Sequence, residues 1–180
     1  MSTFFRAFVP TILHNGVAFE CHSQNCVARF DKYTKELKGF VIRDFGGLRI
    51  HRETLKASTG HDLDVKEGHY VAAKNLEEVY IRAYSSMIQK HLQLLLRTLE
   101  LHYNGKGWAI VWEELQRLAP RDHPLYDAWL APERAIFPAK CYLRMRLVTI
   151  HYPQVGHVYP CDASCLRISF SSLSTDLSRT

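Results

Sequence analysis

Apolar positions along this chain change period several times, and the changes divide it into elements. Residues 4–15 (FFRAFVPTILHN) set apolar side chains at helical spacing and stop at Asn15-Gly16, which predicts a short amphipathic helix. Val17 to Phe19 read as extended, and a polar knot follows: Glu20-Cys21-His22-Ser23-Gln24-Asn25. Cys26 to Phe30 and Gly39 to Arg43 read as strands on either side of the turn residues Asp31 to Glu36, which predicts a hairpin. Asp44-Phe45-Gly46-Gly47 breaks the second strand, because paired glycines let the backbone turn sharply, and Leu48 to Ile50 resume an extended run. Residues 51–74 are polar and read as a loop.

From Asn75 the period becomes helical. Asn75 is a good N-cap, and Leu76, Val79, Tyr80, Ala83, Met87, Ile88, Leu92, Leu95, Leu96 and Leu99 recur at helical spacing through to His102. Ile81, Tyr84, Leu94 and Leu101 lie off that stripe, so the long helix is expected to be buried on most sides. Asn104-Gly105-Lys106-Gly107 ends it, and further helices are predicted over residues 108–118, over 124–130 and from Pro138, a residue suited to a first helical position. After about Thr149 the periodicity fails. A small antiparallel sheet followed by packed helices predicts an α+β domain over residues 1–148, with an irregular tail over 149–180.

Composition narrows the function classes. A hydrophobic content of 47% supports a sizeable core and excludes a disordered chain. No apolar run approaches the roughly 18–20 residues of a membrane span. The strongest, residues 92–101, is broken by Gln93, Arg97, Thr98 and Glu100. The opening MSTFFRAFVP lacks the features of a secretory signal, so a cytoplasmic protein is expected. The net charge of +5 is mild, and the basic residues do not cluster with aromatics, which speaks for small anionic ligands and against nucleic acid. Five cysteines, odd in number and irregular in spacing, read as free thiols. Cys161 and Cys165, with His151 and His157 nearby, lack the second ligand pair of a zinc finger.

Two constellations can carry chemistry. A hairpin brings its outer ends side by side, so Glu20, His22, Gln24 and Asn25 are expected close to Arg43 and Asp44. An amide oxygen and a carboxylate are hard ligands suited to Mg²⁺ carrying nucleotide phosphates, and a histidine beside them can donate to an oxyanion or move a proton. The same residues also read as a polar hairpin that satisfies its own backbone, and spacing alone leaves both readings open. The second constellation is Lys140 and Arg144, one turn apart on a predicted helix. Two cations at that spacing repel, and an anion between them reverses the sign; a solvated cationic face is the other reading. Asp44-Phe45-Gly46 copies the metal-binding triplet of protein kinases, but no H-R-D catalytic loop and no Gly-rich phosphate loop accompany it.

Three blocks together resemble a family. Glu20-x-His22-x-Gln24-Asn25, then Val41-Ile42-Arg43-Asp44-Phe45-Gly46-Gly47-Leu48-Arg49, then Phe137-Pro138-Ala139-Lys140-x-x-Leu143-Arg144-Met145-Arg146-Leu147 closely resemble the C-terminal palm part of the aerobactin-synthetase (IucA/IucC) type of NRPS-independent siderophore synthetases. The resemblance covers roughly residues 4–147. It implies a palm domain lining an ATP site shared with a preceding fingers domain, whose phosphate contacts have no counterpart in these residues. It implies that a carboxylate of citrate or a related polycarboxylate is activated as an acyl-adenylate with ATP and Mg²⁺, and that an amine or hydroxyl then displaces AMP. By this resemblance His22, Lys140 and Arg144 would be catalytic, and Glu20, Gln24, Asn25, Arg43 and Asp44 would bind the cofactor. Asn25 and Asp44 would serve the metal, and a homodimer is possible in the full-length family. Two rival readings stand beside it: a non-catalytic fragment that binds nucleotide or a partner, and a kinase-like phosphotransferase.

Overall fold

The computed structural model describes residues 1–66 and 68–130. The helix expected from Pro138, the tail over 149–180, and with them Lys140 and Arg144, lie outside the described residues. Helix α1 spans Ser2–Asn15 and buries Phe4, Phe5, Phe8, Val9 and Ile12 on one face. It tolerates Pro10 in its interior and ends on Gly16, whose left-handed φ of 62° suits a residue without a Cβ. The short strand β1, Val17–Ala18, then pairs antiparallel with β4, Arg49–His51. β4 pairs in parallel with β5, Ala72–Ala73, which completes a three-stranded sheet in the order β1-β4-β5.

Between β1 and β4 the chain makes the expected hairpin. Strand β2, Cys26–Phe30, pairs antiparallel with β3, Leu37–Ile42, with Cys26 opposite Ile42 and Val27 opposite Val41. The register slips at Arg29/Phe30, a bulge that adds twist. Asp31 closes the turn by accepting from the amides of Tyr33 and Thr34 at 2.8 Å each. Phe40 anchors the hairpin on α1, its ring 5.4 Å from Phe4 and 5.9 Å from Phe8.

Two parts of the chain differ from the sequence reading. The stretch 51–74, read as a loop, contains helix α2, Arg52–Thr59, and strand β5. Helix α2 buries no residue, so no hydrophobic period announces it. Charge and capping hold it instead: Arg52 and Lys56 both pair with Asp62, and Gly60 closes its C-terminus in the left-handed region. The long helix is a composite. Asn75 caps α3, Leu76–Ala83, as expected, accepting from Glu78 N at 3.0 Å. A π-helical segment, Tyr84–Leu92, follows without a break, and α4, Gln93–Thr98, continues it. Helical structure ends at Thr98 rather than His102, where Glu100 adopts a φ of 58°. Leu94, Leu95 and Leu99 are exposed, so the composite helix buries one face rather than most of its surface.

Helices α5, Lys106–Leu118, and α6, Pro124–Leu130, complete the described fold. Val79, Met87, Leu92 and Leu96 of the composite helix, α1's apolar face, Val111 and Leu115 of α5, and Leu125 and Trp129 of α6 form the core. Close packing here demands Gly107, whose Cβ would stand 2.4 Å from Leu96 Cδ2. The class is α+β, as the sequence predicts. Among the described residues no helix is long and apolar enough to cross a membrane.

Candidate functional site

The polar knot folds as a turn at the open end of the hairpin. The His22 carbonyl accepts from the amides of Asn25 and Cys26, both at 3.0 Å. One step beyond the last strand pair, the Arg43 amide donates to the Asn25 carbonyl at 3.0 Å. The two blocks singled out in the sequence therefore meet, Asn25 opposite Arg43 with Asp44 next along the chain. His22 is half-buried; Gln24, Arg43 and Asp44 are exposed. Asp44 Oδ1 accepts from the Gly46 amide at 2.7 Å, a local turn that presents the carboxylate at the hairpin mouth.

Asn25 is 3% exposed, yet among the described residues its Nδ2 has no hydrogen-bond partner. An unmatched buried amide costs about 1–3 kcal/mol, and among the described residues nothing offsets that cost. The chemistry of Nδ2, an N–H donor, fits an acceptor such as a phosphate oxygen. Mg²⁺ is held in nucleotide enzymes by one or two carboxylate or carbonyl oxygens plus phosphates and waters, and the Asn25 amide oxygen and Asp44 carboxylate would be donors of that type. Among the described residues no group of three or more His, Cys, Asp or Glu side chains could hold a metal unaided.

Glu20 has a partner that the sequence reading missed. Arg82 of α3 donates from Nη1 to Glu20 Oε1 at 3.3 Å, and both side chains are largely buried (17% and 15% exposed). Gly47 makes room for this carboxylate: a Cβ there would lie 1.8 Å from Glu20 Oε2. A second guanidinium is near. Arg49 stacks over Tyr70 at 5.8 Å and donates to the Leu48 carbonyl, and burial first, then the charge of Arg82, lowers its pKa. The carboxylates of Glu78 and Glu20 act on Arg49 in the opposite sense, so two cations meet two carboxylates here. Arg82 lies beside the apolar stripe rather than in it, and no spacing in the sequence ties it to Glu20, 62 residues away.

Four further groups frame the turn. His91 Nδ1 donates to the Cys21 carbonyl at 2.9 Å, and Ser86 Oγ lies 3.1 Å from the Phe19 carbonyl. A carbonyl only accepts, so Nδ1 of His91 carries the proton. Burial, aided by the nearby charge of His22, lowers the His91 pKa against the opposing effect of the Cys21 bond. Cys21 and Cys26, buried free thiols at the two ends of the turn, are both shifted upward by burial, Cys26 to about 11.

The family profile described as "Ferric iron reductase FhuF-like transporter" matches residues 2–154 of the chain. The chain belongs to this FhuF-like family. Its relatives carry synthetase names. It is 48% identical over 155 residues to the NRPS-independent siderophore synthetase rfs of Rhizopus delemar, covering 86% of this chain and 24% of that protein. It is 35% identical over 149 residues to the NRPS-independent siderophore synthetase-like protein ankE of Aspergillus thermomutatus, covering 80% and 24%. Over 115 residues it is 30% identical to D-ornithine--citrate ligase of Staphylococcus aureus, covering 61% and 17%. The petrobactin biosynthesis protein AsbB from Bacillus anthracis shares the fold with a TM-score of 0.58 at 18% identity, over 77% of this chain and 26% of that one. The resemblance to IucA/IucC-type siderophore synthetases is borne out. This FhuF-like chain spans about a quarter or less of the length of those relatives.

Proposed function

We propose that this chain is the nucleotide- and acid-binding part of a cytoplasmic, ATP-dependent siderophore synthetase that adenylates a citrate-type carboxylate and joins it to an amine or hydroxyl. The observation that carries the reading is the hairpin mouth, where the Arg43–Asn25 backbone bond aligns the two motif blocks around the unmatched Asn25 Nδ2. Siderophore synthetase and citrate ligase relatives support the reaction class. In this reading Asn25 and Asp44 serve Mg-ATP, and His22 meets the phosphate and the acid. Gln24 and Arg43 edge the site, and Glu20 braces the loop through Arg82. Lys140 and Arg144 meet the substrate carboxylate. ATP and Mg²⁺ would supply phosphoryl electrophilicity and charge neutralisation; the chain's own residues bind and orient.

Calorimetric titration of the chain with MgATP tests the reading. Binding should be measurable, and Asp44→Ala should weaken it at least about tenfold, the loss of roughly 1.4 kcal/mol, without lowering the melting temperature, because Asp44 is exposed and its bond is local. Where the chain is carried in a complete synthetase, hydroxylamine should trap activated citrate with wild-type Asp44 and not with the variant. Unchanged MgATP affinity in Asp44→Ala, or trapping at the wild-type rate, would overturn the assignment.

A further inference from the structure

The composite helix grips the chain that leads into the His22 turn at three successive residues. Ser86 Oγ reaches the Phe19 carbonyl, Arg82 pairs with Glu20, and His91 Nδ1 holds the Cys21 carbonyl. Ser86 and His91 are five residues apart. In a regular α-helix, at ~100° per residue, they would point roughly 140° apart and could not serve one segment. The π-helical pattern bonds residue i to i+5, which sets residues five apart one above the other. Both lie within the π segment Tyr84–Leu92. π turns are rare and concentrate at functional sites, and here the widened turn has a geometric purpose.

His91 is the rung nearest the motif. Its ring packs at a tilt against Phe4 of α1, centroids 4.6 Å apart, and Phe4 in turn packs on Phe40 of β3. One side chain thus ties α1, the hairpin and the π segment to the Cys21 carbonyl, the peptide group immediately before His22. From there the turn is internally fixed, since the His22 carbonyl binds the Asn25 and Cys26 amides and the Asn25 carbonyl binds Arg43. Where the Cys21–His22 peptide goes, His22, Asn25 and Asp44 follow.

We propose that His91, set on the right face by the π-helical segment, is a positioning residue that holds the His22 turn in its ligand-binding geometry through its Nδ1 bond to the Cys21 carbonyl. The proposal rests, for its ligand, on the reading of the hairpin mouth as a nucleotide site, but its structural half does not. His91→Asn keeps an N–H donor near the position of Nδ1; His91→Gln carries its donor one bond further out, near the position of Nε2. Both are polar and neutral, so a difference between them reports the bond and not burial of the side chain.

Amide hydrogen exchange on the chain without ligand is the first readout. In His91→Gln the amides of Asn25, Cys26 and Arg43 should exchange at least tenfold faster, those of α5 should be unchanged, and His91→Asn should stay within about twofold of wild type. Equal protection in both variants, or a uniform loss across α5 and the turn alike, would overturn the proposal. MgATP titration is the second readout: affinity should fall about tenfold in His91→Gln and be largely kept in His91→Asn. Equal affinity in both would overturn the positioning role. Wild-type chain that shows the exchange pattern but binds no MgATP would instead sink the nucleotide reading and leave the clamp standing.

Discussion

At the scale of single residues, the site depends on close approach and on burial. Gly47 is the clearest case. A methyl group there would meet not only the mobile carboxylate of Glu20 but also its Cβ, at 2.7 Å, so rotating the side chain cannot relieve the clash. Gly47→Ala should cost about 1–3 kcal/mol, in the range of overpacked sites, and thermal melts should show it. It should also part Glu20 from Arg82, so Arg82→Ala in the Gly47→Ala background should add less than it does alone. Histidine sets a pH dependence. Burial, first among the causes, lowers the pKa of both His91 and His102. The unfolded chain then binds more protons than the folded one as pH falls through the ordinary histidine value near 6.5. Stability from these groups is complete above that value and drains away toward their lower folded values. Melts at about pH 7.5 and about pH 5 should show the loss, and His91→Asn should reduce it. His102 contributes separately, because its Nδ1 accepts from Trp108 Nε1 at 3.2 Å and protonation there breaks the bond.

At the scale of elements, what was legible in the sequence follows what local physics encodes. Helix α1, the hairpin, the Asn75 cap, α5 and α6 each carry a local signature: an apolar period, a turn cluster, a capping side chain or a first-turn proline. Asn75→Ala should therefore cost α3 about 0.5–2 kcal/mol, seen as a lower unfolding midpoint with an unchanged denaturant slope. Helix α2 carries no apolar period, and its ion pairs with Asp62 join residues whose proximity only the folded chain creates. The π segment was equally hidden. Its apolar residues fit a helical stripe well enough to read as α, and the extra residue per turn shows only through what Ser86 and His91 reach. For the site, motif spacing and a hairpin brought Asn25 to Arg43 correctly. Arg82 and His91 meet Glu20 and Cys21 across 62 and 70 residues of sequence, a tertiary pairing that no local pattern records.

At the scale of the whole molecule, the described fold is a support for one turn. Helix α1 and the hairpin meet through Phe4, Phe8 and Phe40, the three-stranded sheet carries Arg49, and the composite helix supplies three contacts to residues 19–21. The thiols at either end of that turn give the molecule a chemical clock. Cys21 and Cys26 are buried and held protonated, so an alkylating reagent has neither access nor a thiolate while the turn is closed. Their modification rate then measures how often the site opens, not how reactive sulfur is. Iodoacetamide should label these two cysteines far more slowly than a free thiol, and MgATP should slow labelling further by favouring the closed form, with peptide mapping to separate them from Cys141, Cys161 and Cys165. Labelling at the free-thiol rate would mean that the turn spends its time open, and that the unmatched amide of Asn25 is ordinarily met by water.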